Sequence, residues 1–387
     1  MLSEKVGIVN ADNEQCPCCE NNLMKFGMQR SKFHDVLTDH DVKMQRFKCN
    51  TCKYESPSTV KTLINGSLSG ELTKIQATLG SEHSYRASEK ILSLFSTKER
   101  QVNNHDRVKQ IVESVGCAVE AINEEEKEIL TAAGTPELVL NVDGGHIKTT
   151  EDKRSMEAII SVVYKPEAIQ PNPSGTRNYL TSKNCAASAK DDKQEHIMNS
   201  TIIAALKQGL TDKTHVTALC DGADNCWSVV DAISPICGSM TRILDWFHLA
   251  MKIENIGLSN LLEAKLTKIK WHLWRGNVDL AQVRLKQLHV LVKDKKIEDK
   301  LTKFSSYIAN NKDRIVNYRE RKKQGLIFTS NLAESTVESL INQRCKGKQH
   351  MRWSRSGLNP LLQLRAAIQS NDWINKWQSA VLSAQNS

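Results

Sequence analysis

The chain contains no run of about 18 apolar residues, the length a membrane-spanning helix requires, so no part of it is expected to cross a bilayer. Its opening residues, Met1-Leu2-Ser3-Glu4-Lys5-Val6, lack the apolar core of a signal peptide. A cytoplasmic protein is expected on that basis. The eleven cysteines are odd in number and mostly scattered, which speaks against a disulfide framework. The His/Glu spacing of a metalloprotease is missing as well. What is present is ordinary for a globular protein: 387 residues, 40% apolar and 25% charged, enough for two or more domains. Basic residues outnumber acidic ones 53 to 44, a net charge of +9 that fits a polyanionic partner. Placement says more than the total. From Arg344 to Arg355 the chain carries Arg344, Lys346, Lys348, Arg352 and Arg355 and no acid.

Two C-x-x-C pairs, Cys16/Cys19 and Cys49/Cys52, stand near the amino terminus. Each pair can turn both thiolates toward one tetrahedral zinc ion. Paired knuckles joined by short β segments make a zinc ribbon, with zinc in a structural role. The stretch from Glu20 to Lys48 exceeds the common spacing between knuckles, so an extended hairpin is expected there. Cys18 is expected to be a spare thiol or a competing ligand. Arg46, Phe47, Lys48, Lys53 and Tyr54 place basic and aromatic groups around the second knuckle.

Residues 84–96 carry Ile91, Leu92 and Phe95 on one face of an expected helix, and Thr97 to Asn103 reads as a turn. A second helix starts at Asn103-Asn104-His105, with Gly116 as its expected end. Helix, short turn and polar-started helix is the build of a helix-turn-helix. Its second helix would present Asn104, His105, Arg107 and Lys109 to a major groove. The acidic run from Glu124 to Glu128 is expected to lie in a solvated linker helix.

From Leu138 the pattern changes to α/β. Strands are expected at Leu138–Val142, at Ala158–Tyr164, around Arg177 to Ser182, at His215–Leu219 and at Thr241–Leu244. Helices are expected at Asp191–Leu210 and Asn225–Ile233, with Asp224 as the cap of the second. This is the element order of an RNase H-like fold: a mixed five-stranded sheet with flanking helices. In that order the first and fourth strands lie side by side, which makes Asp143 and Asp221 neighbours at one sheet edge. After Asp245-Trp246-Phe247-His248 the chain turns helical (Leu258–Trp274, Val278–Val292, Ile297–Asn310, Lys312–Lys322), an all-α insertion. Ser330-Asn331 caps a further helix with Glu334 in its first turn. Glu338, one turn on, lies on the same side, so spacing alone leaves the two open. Three acids gathered from such distant segments need divalent cations to hold their charge. Cations between carboxylates are the means of cutting and rejoining phosphodiesters.

Taken together, these segments resemble bacterial insertion-sequence transposases of the DDE class, and the resemblance covers nearly the whole chain. Val142-Asp143-Gly144-Gly145 is similar to the family's first acid and Cys220-Asp221-Gly222-Ala223 to its second. Asp245-Trp246-Phe247-His248 matches a D-x-x-H motif shared with Mutator-like transposases. Asn331-Leu332-Ala333-Glu334-Ser335-Thr336-Val337 looks like the segment of the third acid and favours Glu334. Gln349-His350-Met351-Arg352-Trp353-Ser354 resembles a basic stretch that follows this helix in one subgroup.

The resemblance implies Asp143, Asp221 and Glu334 as ligands of Mg²⁺ (or Mn²⁺), with His248 beside them. It implies DNA as partner, both element terminal inverted repeats and target, and at least a homodimer on DNA near the nucleoid. Lys148, Lys348 and Arg352 are the expected phosphate contacts, and Arg107, Lys109, Arg344 and Lys346 are also expected to bind DNA. The expected domains are a zinc ribbon (1–60), a helical DNA-binding region (61–130), the first part of the core (131–248), the all-α insertion (249–329), and final core helices with a basic tail (330–387). The competing expectation is a DNA-binding regulator with an inactive core.

Overall fold

The structure is a computed structural model, and it describes residues 2–11, 15–64, 66–96, 100–126, 133–151, 154–258, 260–346 and 351–386. The chain forms two compact units. One comprises Met1–Val119 with Trp373–Ser387, the other Glu120–Asp372. Trp373–Ser387, expected at the tail of the core, is therefore grouped with the amino-terminal residues.

The first unit starts with α1 (Leu2–Asn10) and a long antiparallel hairpin, β1 (Leu23–His34) and β2 (Asp39–Cys49). Short helix α2 (Val60–Ile64) leads to α3 (Gly70–Glu82) and α4 (Tyr85–Ser93). Ser69 and Ser84 cap α3 and α4, their hydroxyls accepting from the amides of Leu72 and Ala87. A 3₁₀ turn (Gln101–Asn103) precedes α5 (His105–Glu126), and Asn104 accepts from the Arg107 amide at 2.8 Å. The helix does not end at Gly116. Val112, Val115, Gly116, Ala118 and Val119 are all buried, and that burial outweighs the roughly 1 kcal/mol a helical glycine costs. Residues 97–99 of the expected turn and residues 127–128 of the expected acidic linker lie outside the described residues. α15 (Trp373–Asn386) packs on α3, where the Trp373 indole donates to Thr78 Oγ1 at 3.0 Å.

The second unit is built on a mixed five-stranded sheet. Its strands are β3 (Glu137–Lys148), β4 (Ser155–Tyr164), β7 (Asn184–Ser188), β8 (His215–Cys220) and β9 (Ser239–Leu244), in spatial order β7-β4-β3-β8-β9. β3 runs antiparallel to β4 and parallel to β8, and β9 continues the parallel side. The third strand of the sheet is not the segment around Arg177 to Ser182. That segment supplies β6 (Asn178–Leu180), which pairs with β5 (Ile169–Pro171) in a separate two-stranded ribbon. β7 is Asn-Cys-Ala-Ala-Ser, small residues packed against α6 (Glu195–Lys207) and α14 (Arg355–Gln369). It carries none of the branched side chains that mark a strand in sequence. Between sheet and helices lies an apolar core that includes Leu138, Leu140, Val142, Val216, Ala218, Trp227 and Val230.

α7 (Asp224–Ile233) follows β8, and α8 (Trp246–Glu254) follows β9. The cap residue of α7 is Ala223, with Asp224 already inside the helix. Asp221 Oδ1 accepts from the amide of that cap residue, Ala223 N, at 2.9 Å. Helices α9 (Asn260–Trp274), α10 (Val278–Leu291) and α11 (Lys295–Asn310) form the all-α segment. The expected helix Lys312–Lys322 is split into a 3₁₀ turn (Lys312–Arg314) and α12 (Tyr318–Lys323), the latter capped by Asn317. Trp246, Trp274, Tyr318 and Phe328 form an aromatic cluster, with ring centroids of the first two 4.7 Å apart. α13 (Asn331–Val337) passes directly into a π-helix, Glu338–Lys346.

Candidate active site

Strand register brings the first two acids together. β3 and β8 pair in parallel up to Val142 opposite Cys220, so Asp143 and Asp221 are the next residue on each strand. The Asp143 side chain is largely buried, and its Oδ1 accepts from the Gly144 amide at 2.8 Å. The Asp221 turn is gripped from the helical segment. Tyr307 of α11 donates its hydroxyl to the Asp221 carbonyl at 2.7 Å, and Asn311 Nδ2 donates to the Gly222 carbonyl at 3.3 Å. Gly222 has φ +92°, and a Cβ there would meet Tyr307 Cε2 at 2.6 Å. Glycine is required at this position for its conformation and for the close approach.

Glu334 arrives from the other end of the helical segment. Asp143, His248 and Glu334 each offer a ligand atom, all within 4.8 Å of one another. Asp221 lines the same cavity, together with Asp245 and Ser330. Glu338 does not join them. It is exposed and accepts a hydrogen bond from Asn342 Nδ2. Geometry thus selects Glu334 from the two glutamates that helical spacing leaves open.

Sequence reasoning treated Asp245 only as part of a motif; its carboxylate does more. It is fully buried and caps α8 by accepting from the Phe247 amide at 3.2 Å. It also accepts from Ser330 N at 2.9 Å and from Ser330 Oγ at 2.6 Å. The start of the Glu334 helix is thereby tied to the end of β9. His248 Nε2 stands 3.7 Å from Asp245 Oδ2 and 3.9 Å from Asp143 Oδ1. An aspartate at a strand end just before an apolar helix was the available signal for this capping role.

The electrostatics are those of crowded acids that His248 only partly compensates. Burial pushes the Asp143 carboxyl above its ordinary range; His248 opposes the shift and the Asp221 charge adds to it. Burial also raises Glu334, with the Asp143 charge next in importance. Hard oxygen donors in this state fit a divalent cation, which would relieve both the burial cost and the mutual repulsion.

In the first unit, Cys16, Cys19, Cys49 and Cys52 form a second group of ligand atoms within 4.8 Å of one another. Cys16 Sγ lies 3.4 Å from Cys52 Sγ, and Cys19 Sγ lies 3.5 Å from Cys49 Sγ. Four thiols at these separations fit one tetrahedral zinc ion. Cys18 is exposed and outside the group.

The expected DNA contacts fare unevenly. Lys109 and Arg352 are exposed, and Arg107 is partly so. His105, expected at the groove face, is held by Glu89, whose Oε2 lies 2.8 Å from its Nδ1. Lys346 leans toward the sheet, its Nζ 3.2 Å from where a Gly145 Cβ would be. Arg344 is only 3% exposed. Its guanidinium sits 4.9 Å from the Trp353 ring centroid and donates to Met351 Sδ, so it packs the interior rather than facing a phosphate. Lys348 lies outside the described residues. Among the described residues, no helix is long and apolar enough to cross a membrane.

Among curated proteins none matches the chain. Residues 68–378, which include every acid of the site, match the Uncharacterised protein family (UPF0236), and the chain belongs to that family.

Proposed function

We propose that this member of the family is a DNA transposase of the DDE type, with an RNase H-like core, an amino-terminal zinc ribbon and a helix-turn-helix-like segment. The observation that carries the proposal is the meeting of Asp143, Glu334 and His248, from three distant parts of the chain, beside Asp221 at one sheet edge. Asp143, Asp221 and Glu334 would hold Mg²⁺ or Mn²⁺. Bound there, such ions would activate a water and then a 3′-hydroxyl, and stabilise the leaving oxygen. The protein's own groups keep the acids at the edge of the sheet: Asp245 fixes the Glu334 helix, and Tyr307 fixes the Asp221 turn. His248, whose Nε2 lies 3.9 Å from Asp143 and 3.7 Å from Asp245, would donate to a phosphate oxygen once DNA enters. Lys109, Lys346 and Arg352 would contact the backbone, which supplies most DNA affinity. Synapsis of two element ends would require at least two copies of the chain.

The test is a magnesium-dependent cleavage and joining assay on DNA carrying the sequences that flank this gene. Asp143→Asn should abolish both reactions while binding to element ends persists. Near-normal joining by that variant would sink the assignment.

A further inference from the structure

The amino-terminal hairpin carries a feature the catalytic reading leaves unused. Met24, Phe26 and Met28 are 54%, 50% and 54% exposed, an apolar row on a strand that solvent would otherwise claim. Phe26 lies within an irregularity of the hairpin. The β1–β2 register shifts between Lys25 and Met28, and Gly27 adopts φ +80° within the shift. Such bulges re-aim a side chain at a fixed place on a ribbon. Two cations flank the exposed ring: the Arg46 guanidinium lies 4.8 Å from its centroid and Lys48 Nζ 5.2 Å. Glu55 holds both in place, 3.8 Å from Arg46 and 2.9 Å from Lys48. Around them the ribbon is basic. The stretches Leu23 to Ser31 and Val42 to Cys49 contain Lys25, Arg30, Lys43, Arg46 and Lys48 and no acid. The neighbouring Phe47, expected with Tyr54 among the aromatic groups around the second knuckle, is buried.

We propose that Phe26, with Arg46 and Lys48, is a stacking platform for an unstacked nucleobase and its adjoining phosphate. A ring face and a guanidinium plane both accept a base, and this stacking is tolerant of sequence. The two cations pair with the phosphate. A basic rim around an exposed aromatic suits a polyanion whose bases can be reached, from a single strand or from a duplex opened locally by an apolar wedge. This inference rests on the reading of the protein as one that handles DNA.

The test measures binding by the full-length protein without magnesium, so inability to cut DNA would leave it intact. The probes are a fluorescent oligothymidine and a duplex of mixed sequence. Phe26→Ala should weaken oligothymidine binding about tenfold and leave the salt dependence unchanged. Phe26→Trp should restore affinity. Arg46→Gln and Lys48→Gln should each lower the salt slope, by roughly 0.7 for a single strand. A loss confined to oligothymidine assigns the platform to single strands, and a matching loss on the duplex assigns it to a locally opened helix. Zinc content equal to wild type shows that the ribbon is intact. Unchanged binding of both probes by a zinc-loaded Phe26→Ala protein overturns the proposal. So does a variant that alters self-association in sedimentation and leaves DNA binding untouched.

Discussion

Gly222→Ala is the most informative single substitution in the second unit. The native φ of +92° lies where an L-residue is strained, at a cost of about 1–2 kcal/mol. The new Cβ would also stand 2.6 Å from Tyr307 Cε2 and 2.8 Å from Leu244 Cδ1. Overpacking of that kind costs about 1–3 kcal/mol, so the expected total is about 2–5 kcal/mol. A double-mutant cycle isolates the share of the overpacking that falls on Tyr307. Tyr307→Ala removes that ring but leaves the Leu244 contact and the backbone strain. The double variant should therefore lose less than the sum of the singles, by about 0.5–3 kcal/mol. Hydrogen exchange of the amides of β8, followed by mass spectrometry, reads the stability of this sheet independently of the first unit. A loss under about 1 kcal/mol for Gly222→Ala, or strict additivity in the cycle, would refute the account of this turn. Since the turn carries Asp221, cleavage should fall further than DNA binding.

Metal analysis should find one zinc per chain, and Cys49→Ser should remove it; a variant that kept its zinc would exclude the four-thiol site. Glu334→Gln should abolish magnesium-dependent cleavage, whereas Glu338→Gln should stay within a fewfold of wild type, and the reverse pattern would contradict the geometry. Glu120 supplies a pH test. Burial alone would raise its carboxyl, but hydrogen bonds from His196, at 2.7 Å, and from Lys190 outweigh it and hold the group below its ordinary 4.5. A depressed folded-state value means that its contribution is complete above the unfolded value and is lost as pH falls through the folded one. Urea unfolding below about pH 4.5 should therefore show a shallower acid decline for Glu120→Gln than for wild type, and parallel curves would exclude the linkage.

The parts of the site that follow from local chemistry were legible before any coordinates. Apolar runs ending in Asp-Gly pointed to Asp143 and Asp221; β8 does stop before Asp221, whereas β3 runs on past Asp143 to Lys148, paired with β4, because its glycines still extend the ladder. The paired knuckles were equally plain from their spacing. What stayed hidden depended on longer-range packing. β7 is a strand because small residues fit beneath α6 and α14, and nothing in Asn-Cys-Ala-Ala-Ser announces it. Glu334 and Glu338 share a side at helical spacing, and only the packing of the helix start against Asp245 decides that Glu334 meets Asp143 and His248 while Glu338 pairs with Asn342. Phe47, expected among the groups around the second knuckle, is buried, and the exposed aromatic of the hairpin is Phe26, which the sequence did not single out. Arg344 reads as part of a basic surface, yet a neighbouring tryptophan draws it inward.

The hydrogen bonds between Asp245 and Ser330 join residues 85 positions apart. They close the entire helical segment into a loop whose two feet touch. Loop-closure entropy grows only with the logarithm of length. Helices could therefore be lengthened or shortened within that loop at little cost to the sheet, provided the grip of Tyr307 and Asn311 on the Asp221 turn is kept. The separation between the second and third acids along the chain is thus a free parameter. A relative with a very different count of residues between them would still deliver its glutamate to the same address, as long as it retained an aspartate at one foot and a serine at the other.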